Sequence, residues 1–424
     1  MNRQAIAADS SVSPQALRAF QGCGLELEYM LVRRDSLDVL PIADRVLGHA
    51  GVAGNGELAR GELGWSNELV NHLLELKNPQ PSAALAPLAM SLQREVRAMN
   101  ALLQSFGARL MPGGMHPWMD PRCETELWPH GNGPIYRAYD RIFDCRTHGW
   151  ANLQAMHINL PFADDAEFAR LHAAVRLILP LVPAIAASSP YVEGTVAPAL
   201  DYRMQVYCSH TAAVPSLSGE VVPETIASRA EYEALILEPM YRAIAPHDPD
   251  GLLQYEWLNT RGAIARFDRN AIEIRVLDMQ ECPHADVAVA AALMDLTQLL
   301  YSGHFSALEA QQSIATATLA QIMRACIRDG ELALISDAGY LRLLGIDCEQ
   351  CPAGEVWSHL EEELVAASAP QCRLWHGHLS FILKRGTLAT RLRRAAGANP
   401  KRAALFAAYS ALCDCLDSGT GFDP

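Results

Sequence analysis

Glu26 and Glu28 lie in the run Cys23-Gly-Leu-Glu-Leu-Glu-Tyr-Met-Leu-Val32, where they alternate with Leu25, Leu27, Tyr29 and Leu31. A strand over this run turns two carboxylates to one face and an apolar row to the other. Two like charges one pleat apart on an inward face repel each other and lose hydration. Such a face needs a divalent cation, a cationic substrate or open water. Taken alone, the pair reads as a half-exposed edge strand with solvated glutamates.

Three further segments repeat the pattern and change that reading. Asn71-His-Leu-Leu-Glu-Leu-Lys-Asn-Pro79 sets Asn71, Leu73, Glu75 and Lys77 together, opposite Leu74 and Leu76, and Pro79 and Pro81 end it. In Gln154-Ala-Met-His-Ile-Asn-Leu-Pro161, His157 and Asn159 share one face while Met156, Ile158 and Leu160 share the other. Ala271-Ile-Glu-Ile-Arg-Val-Leu-Asp278 pairs Glu273 with Arg275 against Ile272, Ile274 and Val276. It follows Ala263-Ile-Ala-Arg-Phe267 across a short Asp268-Arg-Asn270 turn, which predicts a hairpin. Among the residues that the four strands turn to a common side are four Glu, one His, Asn159 and Arg275, an oxygen-rich set suited to a hard cation such as Mg²⁺.

With 424 residues, 50% of them hydrophobic, the chain can bury a large core. A net charge of −14 argues against a nucleic-acid partner, which favours a basic face. The most apolar stretch, residues 171–192, is interrupted by Arg176, Pro180 and Pro183, so no membrane span is expected, and the N-terminus has no signal-peptide core. Eleven scattered cysteines do not suit a disulfide framework, and the expected location is cytoplasmic. Cys348-Glu-Gln-Cys351, with Cys372, His376 and His378 beyond it, has the residue types of a zinc site, but its spacing is irregular and helices intervene.

Alternation mixed with helices over residues 83–106 and 165–179 runs from Gly24 to about Pro283. From about Ala285 onward the apolar spacing is helical, over 287–300, 308–329, 353–367 and 373–394. One domain is expected, with a sheet-rich, site-bearing part (about 24–283) and a helical C-terminal subregion (about 285–424) capping the sheet. Neither a Gly-x-x-x-x-Gly-Lys-Ser/Thr loop nor a Gly-x-Gly-x-x-Gly turn is present, so a nucleotide would be held by metals and arginines.

Gly24-Leu-Glu-Leu-Glu28, Leu74-Glu75 before a proline break, Gly114-Met-His-Pro117, His157-Ile-Asn159, Ala187-Ser-Ser-Pro190 followed by Gly194, and Glu273-Ile-Arg275 occur in an order that resembles the bacterial and plant-type glutamate–cysteine ligase family and related carboxylate–amine ligases. The resemblance covers about the first two thirds of the chain. It implies an α+β, glutamine-synthetase-like fold in which an antiparallel sheet wraps a site for ATP, Mg²⁺ (or Mn²⁺) and an amino acid. It further implies that ATP phosphorylates a carboxylate, in this family most often that of glutamate, and that an amine then displaces phosphate to give an amide, a γ-glutamyl bond where the acid is glutamate.

Carried over by motif, Glu26, Glu28, Glu75, Glu273 and His157 would hold the metal ions. Arg275 beside Glu273 would grip a substrate carboxylate or the transferring phosphoryl group through its planar fork. Arg203, in Asp201-Tyr-Arg-Met-Gln-Val206, is similar to an arginine the family uses on its amino-acid substrate, and Asn159, where relatives carry His or Val, is a further substrate-side residue. Arg266 and Arg269 flank the hairpin turn. Turn arginines are commonly solvated, and the phosphates of ATP are their functional alternative. His116 reads as a buried residue capping a turn, and Ser188 and Ser189 as turn residues, since no nucleophile elbow surrounds them.

Two other function classes fit part of the pattern. A metal-dependent hydrolase could use clustered Glu and His to activate water, but it has no need of Arg203, Arg266, Arg269 and Arg275. A binding protein on a ligase scaffold that has lost activity fits less well, because every implied metal carboxylate is in place. The expected partners are small molecules (amino acid, amine and ATP). The sequence leaves the amine and the oligomeric state open, a homo-oligomer included.

Overall fold

The computed structural model describes residues 16–51 and 56–424. Its centre is an eight-stranded antiparallel sheet. In chain order the strands are β1 (Gly24–Arg33), β2 (Glu57–Arg60), β3 (Leu63–Asn67), β4 (Leu73–Lys77), β5 (Ala108–Met111) and β6 (Ala155–Pro161). A two-residue hairpin, β7 (Tyr191–Val192) and β8 (Thr195–Val196), stands apart from it, and β9 (Ala263–Arg266) and β10 (Ala271–Asp278) complete it. The spatial order is β2-β3-β4-β1-β6-β10-β9, with β5 pairing the far end of β1. The four strands predicted from alternation, β4, β1, β6 and β10, are therefore direct neighbours.

Register decides what meets across them. Glu28 lies opposite Glu75, Glu26 opposite Lys77 on one side and His157 on the other, and Glu273 opposite Asn159. A one-residue slip would send the whole polar set into the core, so the apolar row of β1 holds the register. Leu25, Leu27, Tyr29 and Leu31 all belong to the main hydrophobic cluster, together with residues of the helices Leu85–Leu103, Asp165–Ile178 and Pro283–Ser302. Asn78 ends β4. Its side-chain oxygen accepts from Leu25 N at 2.7 Å and its amide donates to Cys23 O at 3.1 Å, replacing the ladder just before Pro79.

The carboxylate face is polar over only part of its length. Met30 and Val32 continue it, and they join Leu73 and Met111 in a second cluster with Leu405, Tyr409 and Leu412 of the helix Arg402–Ser418. The C-terminal region is helical, as expected, yet it is more than a cap. Pro283–Ser302 lies in the main core, while Arg402–Ser418 seals the apolar end of the opposite face.

Two predicted helices are broken in the structure. Residues 308–329 form Leu308–Ser313 and Thr316–Asp329. The buried Arg176 donates to Ile314 O at 3.3 Å and to Thr316 Oγ1 at 3.1 Å, and so takes up a carbonyl that a continuous helix would use itself. Residues 373–394 form Cys372–Arg385 and Leu388–Ala396, parted at Gly386, whose φ of +86° suits glycine, and restarted by Thr387 as N-cap. Among the described residues no helix is long and apolar enough to cross a membrane.

Candidate active site

The polar rows of the sheet floor a cavity of about 450 Å³. Six carboxylates line it, from Glu26, Glu28, Glu57, Glu68, Glu75 and Glu273, against four cations, Lys77, Arg266, Arg269 and Arg275. His157 lies between the two rows, with Nδ1 3.1 Å from Glu26 Oε2 and Nε2 3.9 Å from Glu28 Oε1.

Burial acts to lower the His157 pKa, but the hydrogen bond to Glu26 and the charges of Glu28, Glu26 and Glu273 overcome it and raise it above the ordinary imidazole value. Burial acts to raise Glu26, yet His157 and Arg269 hold it below the usual carboxylate value. Glu28 goes the other way. Its burial and the charge of Glu75 outweigh His157 and the Ala155 N–H that donates to Oε2 at 2.7 Å, so its pKa is raised.

Glu75 accepts from Ser66 Oγ at 2.9 Å and lies 2.8 Å from Lys77 Nζ. Glu273 is the most heavily engaged carboxylate. Arg275 Nε donates to Oε1 at 2.5 Å and Arg266 Nη1 to Oε2 at 2.9 Å. Burial alone would raise Glu273, but Arg275, His157 and Arg266 bring it to about 2.

Arg266 is buried in this network and also grips Asp268, whereas Arg269 stands half exposed at the rim, 3.6 Å from Glu26. Asn159 donates to Glu26 Oε1 at 3.3 Å and lines an adjoining space of about 400 Å³, next to Leu25, Pro79 and Arg269. Arg203 lines a third chamber of about 230 Å³, which shares Glu28, His157 and Arg275 with the first and is walled by Trp150, Tyr207 and Trp257. Every residue carried over by motif for metal, substrate or nucleotide thus borders one of three contiguous spaces.

The donors fit divalent cations. One atom each from Glu26, His157 and Glu273 lie within 4.8 Å of one another, and the same holds for Glu28, Glu75 and His157. Oxygen donors in excess over nearby cations suit Mg²⁺ or Mn²⁺ better than a thiophilic metal. Glu273, with both oxygens already taken by arginines, has least to spare.

Sequence reading missed Glu68, which borders both the first and the third chamber. It follows β3 in the connection toward β4, where no alternation marks it. Burial, then the charges of Glu75 and Glu28, hold its carboxyl well above the ordinary range. Tyr136, Tyr139 and Trp257 wall the cavity from outside the sheet and carry no sequence signal at all. His116 is fully buried with Nε2 2.7 Å from Leu37 O, as expected of a turn-capping residue.

Among solved structures, the glutamate–cysteine ligase of Francisella tularensis, crystallised with AMP, matches 95% of this chain and 90% of that one, with a TM-score of 0.61 at 13% identity. A bifunctional glutathione synthetase of Pasteurella multocida matches 93% of this chain with a TM-score of 0.53 at 13% identity, the match spanning 53% of that longer chain. At such identities these likenesses speak for the fold. In sequence, an uncharacterised protein of Archaeoglobus fulgidus is 34% identical over 261 residues, 61% of this chain and 70% of that protein. The model of glutamate–cysteine ligase family 2 matches residues 23–332, a span that holds every strand of the central sheet, and the chain therefore belongs to that family.

Proposed function

We propose that the protein is an ATP-dependent carboxylate–amine ligase that forms an amide, γ-glutamyl where the acid is glutamate, through an acyl phosphate. The observation that carries this reading is the meeting of carboxylate rows with Arg266, Arg269, Arg275 and Lys77 in one cavity. A hydrolase needs the metal-binding carboxylates but not a ring of guanidinium groups, whereas a triphosphate needs both. Membership of the family supports ATP as the phosphoryl donor, and the buried cluster that runs from Cys23 to Leu416 supports one catalytic unit.

In this reading Glu26, Glu28, Glu75 and His157, with Glu273 behind them, hold divalent ions that neutralise phosphate charge when bound. Arg266 and Arg269 face the nucleotide phosphates. Arg203 holds the acid with its carboxylate toward the γ-phosphate, Arg275 grips either the acid or the transferring phosphoryl group, and the aromatic walls exclude water that would hydrolyse an acyl phosphate. Catalysis then rests on positioning and charge compensation by preorganised groups.

A screen of amino-acid and amine pairs for amine-dependent phosphate release, with products weighed by mass spectrometry, tests the reading. Turnover requires Mg²⁺ or Mn²⁺ and yields ADP. Stoichiometric AMP and pyrophosphate would mark an acyl-adenylate enzyme and overturn it.

Arg203→Lys separates the cationic roles. It keeps the charge but loses the planar, multi-donor guanidinium, so the apparent affinity for the acid weakens well beyond that for ATP. Steady-state kinetics with acid and ATP varied separately reads this out, and unaltered acid affinity would remove Arg203 from the substrate. For Arg275→Lys, a loss confined to turnover would assign Arg275 to the phosphoryl group, and a loss confined to acid affinity would assign it to the acid.

A further inference from the structure

Asp278, the last residue of β10, is fully buried, and both its oxygens are occupied. Oδ2 accepts from Ser188 N at 2.8 Å and from Ser189 Oγ at 2.8 Å, and Oδ1 accepts from Arg203 Nε. Gly114 packs directly on this carboxylate. A Cβ there would lie 2.4 Å from Asp278 Cγ, so no larger residue fits without displacing Asp278. Ser189 Oγ also accepts from the backbone N–H of Arg203 at 3.0 Å, so the side chain and the main chain of Arg203 are tied to the same anchor. Three motifs that the proposed chemistry left unused, around Gly114, Ser188-Ser189 and the end of β10, thus converge on one arginine.

Arg203 is only 1% exposed, and its Nη1 donates to Arg275 O at 3.4 Å. Its Nη2 is buried and has no partner among the described residues, and neither has the Thr260 hydroxyl on the wall of the same chamber. A guanidinium donor left bare in a buried site is costly, and an acceptor from a ligand satisfies it.

We propose that Asp278 is a positioning residue. With Ser189 it fixes the Arg203 guanidinium so that Nη2 meets a carboxylate of an amino acid bound in the chamber walled by Trp150, Tyr207 and Trp257. This rests on the ligase reading for the identity of the ligand as the acid substrate. The anchor leaves Arg203 one rotamer, so little side-chain entropy is lost on binding.

Two measurements test it on the full chain. L-Glutamate, L-aspartate and glutarate are titrated against intrinsic tryptophan fluorescence, which Trp150 and Trp257 report from the chamber wall. Apparent KM values for acid and ATP are taken from amine-dependent ADP formation. Asp278→Asn weakens acid binding about tenfold or more, and Ser189→Ala about fivefold, as expected for losing the counter-charge of Arg203 in the first variant and one hydroxyl of its anchor in the second. The KM for ATP stays within about twofold, since the nucleotide contacts other residues. If Asp278→Asn does not fold, Ser189→Ala decides alone.

Carboxylate binding equal to wild type in the folded variants, no binding of any of the three probes to wild type, or acid and ATP constants that move together would each overturn the proposal. Asp278-dependent glutamate binding without ATP turnover for any amine would instead uphold the positioning role and sink the ligase reading.

Discussion

Exchanging Glu26 for Gln, or Glu28 for Gln, lowers metal-dependent turnover by about 10²–10³-fold, the usual cost of removing one preorganised electrostatic group, and leaves the fold intact. Glutamine keeps the shape of the side chain, and its carbonyl can still accept from Ala155 N in place of Glu28 Oε2. The cavity holds six carboxylates against four cations, so losing one negative charge relieves repulsion. What is lost is a charged oxygen ligand beside His157, and more Mg²⁺ is needed to reach half-maximal rate. Turnover across a Mg²⁺ titration, with a thermal melt to confirm folding, checks this. Near-normal turnover in either variant would return that glutamate to a solvated strand face.

Glu273→Gln behaves differently, because its main effect is on stability. The carboxylate is buried between Arg275 Nε and Arg266 Nη1, and neutralising it leaves two guanidinium groups facing each other with one counter-charge removed. Breaking a buried pair from one side costs about 3–5 kcal/mol, read as a fall in the urea midpoint at pH 7. The pH dependence follows from the same pair. Arg275, His157 and Arg266 overcome burial and place Glu273 at about 2 in the fold against an ordinary 4.5. Its contribution is therefore fully present above pH 4.5 and is lost as pH falls toward 2. The variant lacks this component, so its stability falls less steeply over that window. Equal midpoints for variant and wild type at pH 7 would show that the arginines are compensated elsewhere.

How much of this was legible in the chain depends on where each residue sits. Glu26, Glu28, Glu75, His157 and Glu273 were readable because strand alternation fixes the face of every second residue, and the apolar partners Leu25, Leu27, Leu76, Ile158 and Ile274 fix which face is inward. That the four strands are neighbours is a long-range fact that no local period carries. The family resemblance in motif order stood in for it.

Glu68 sits in a connection between strands and Asp278 at a strand end, positions whose side-chain direction is set by partners far away in sequence. Asp278 gains its meaning only beside Ser188, Ser189 and Arg203. The helix break at Ile314 has the same origin, since the cause, Arg176, lies 138 residues earlier. Gly386 was a visible sign of the other break, and apolar spacing on both sides of it masked the signal.

Whether the carboxylate becomes an acyl phosphate before the amine attacks is decided by following its oxygen. With an acid labelled with ¹⁸O in both carboxylate oxygens, its attack on the γ-phosphorus of ATP releases ADP, and the amine then expels phosphate that carries one oxygen of the acid. One ¹⁸O is expected in each inorganic phosphate, with one ADP for each amide and no label in the ADP. Label in AMP, or amide formation with unlabelled phosphate, would contradict an acyl-phosphate intermediate.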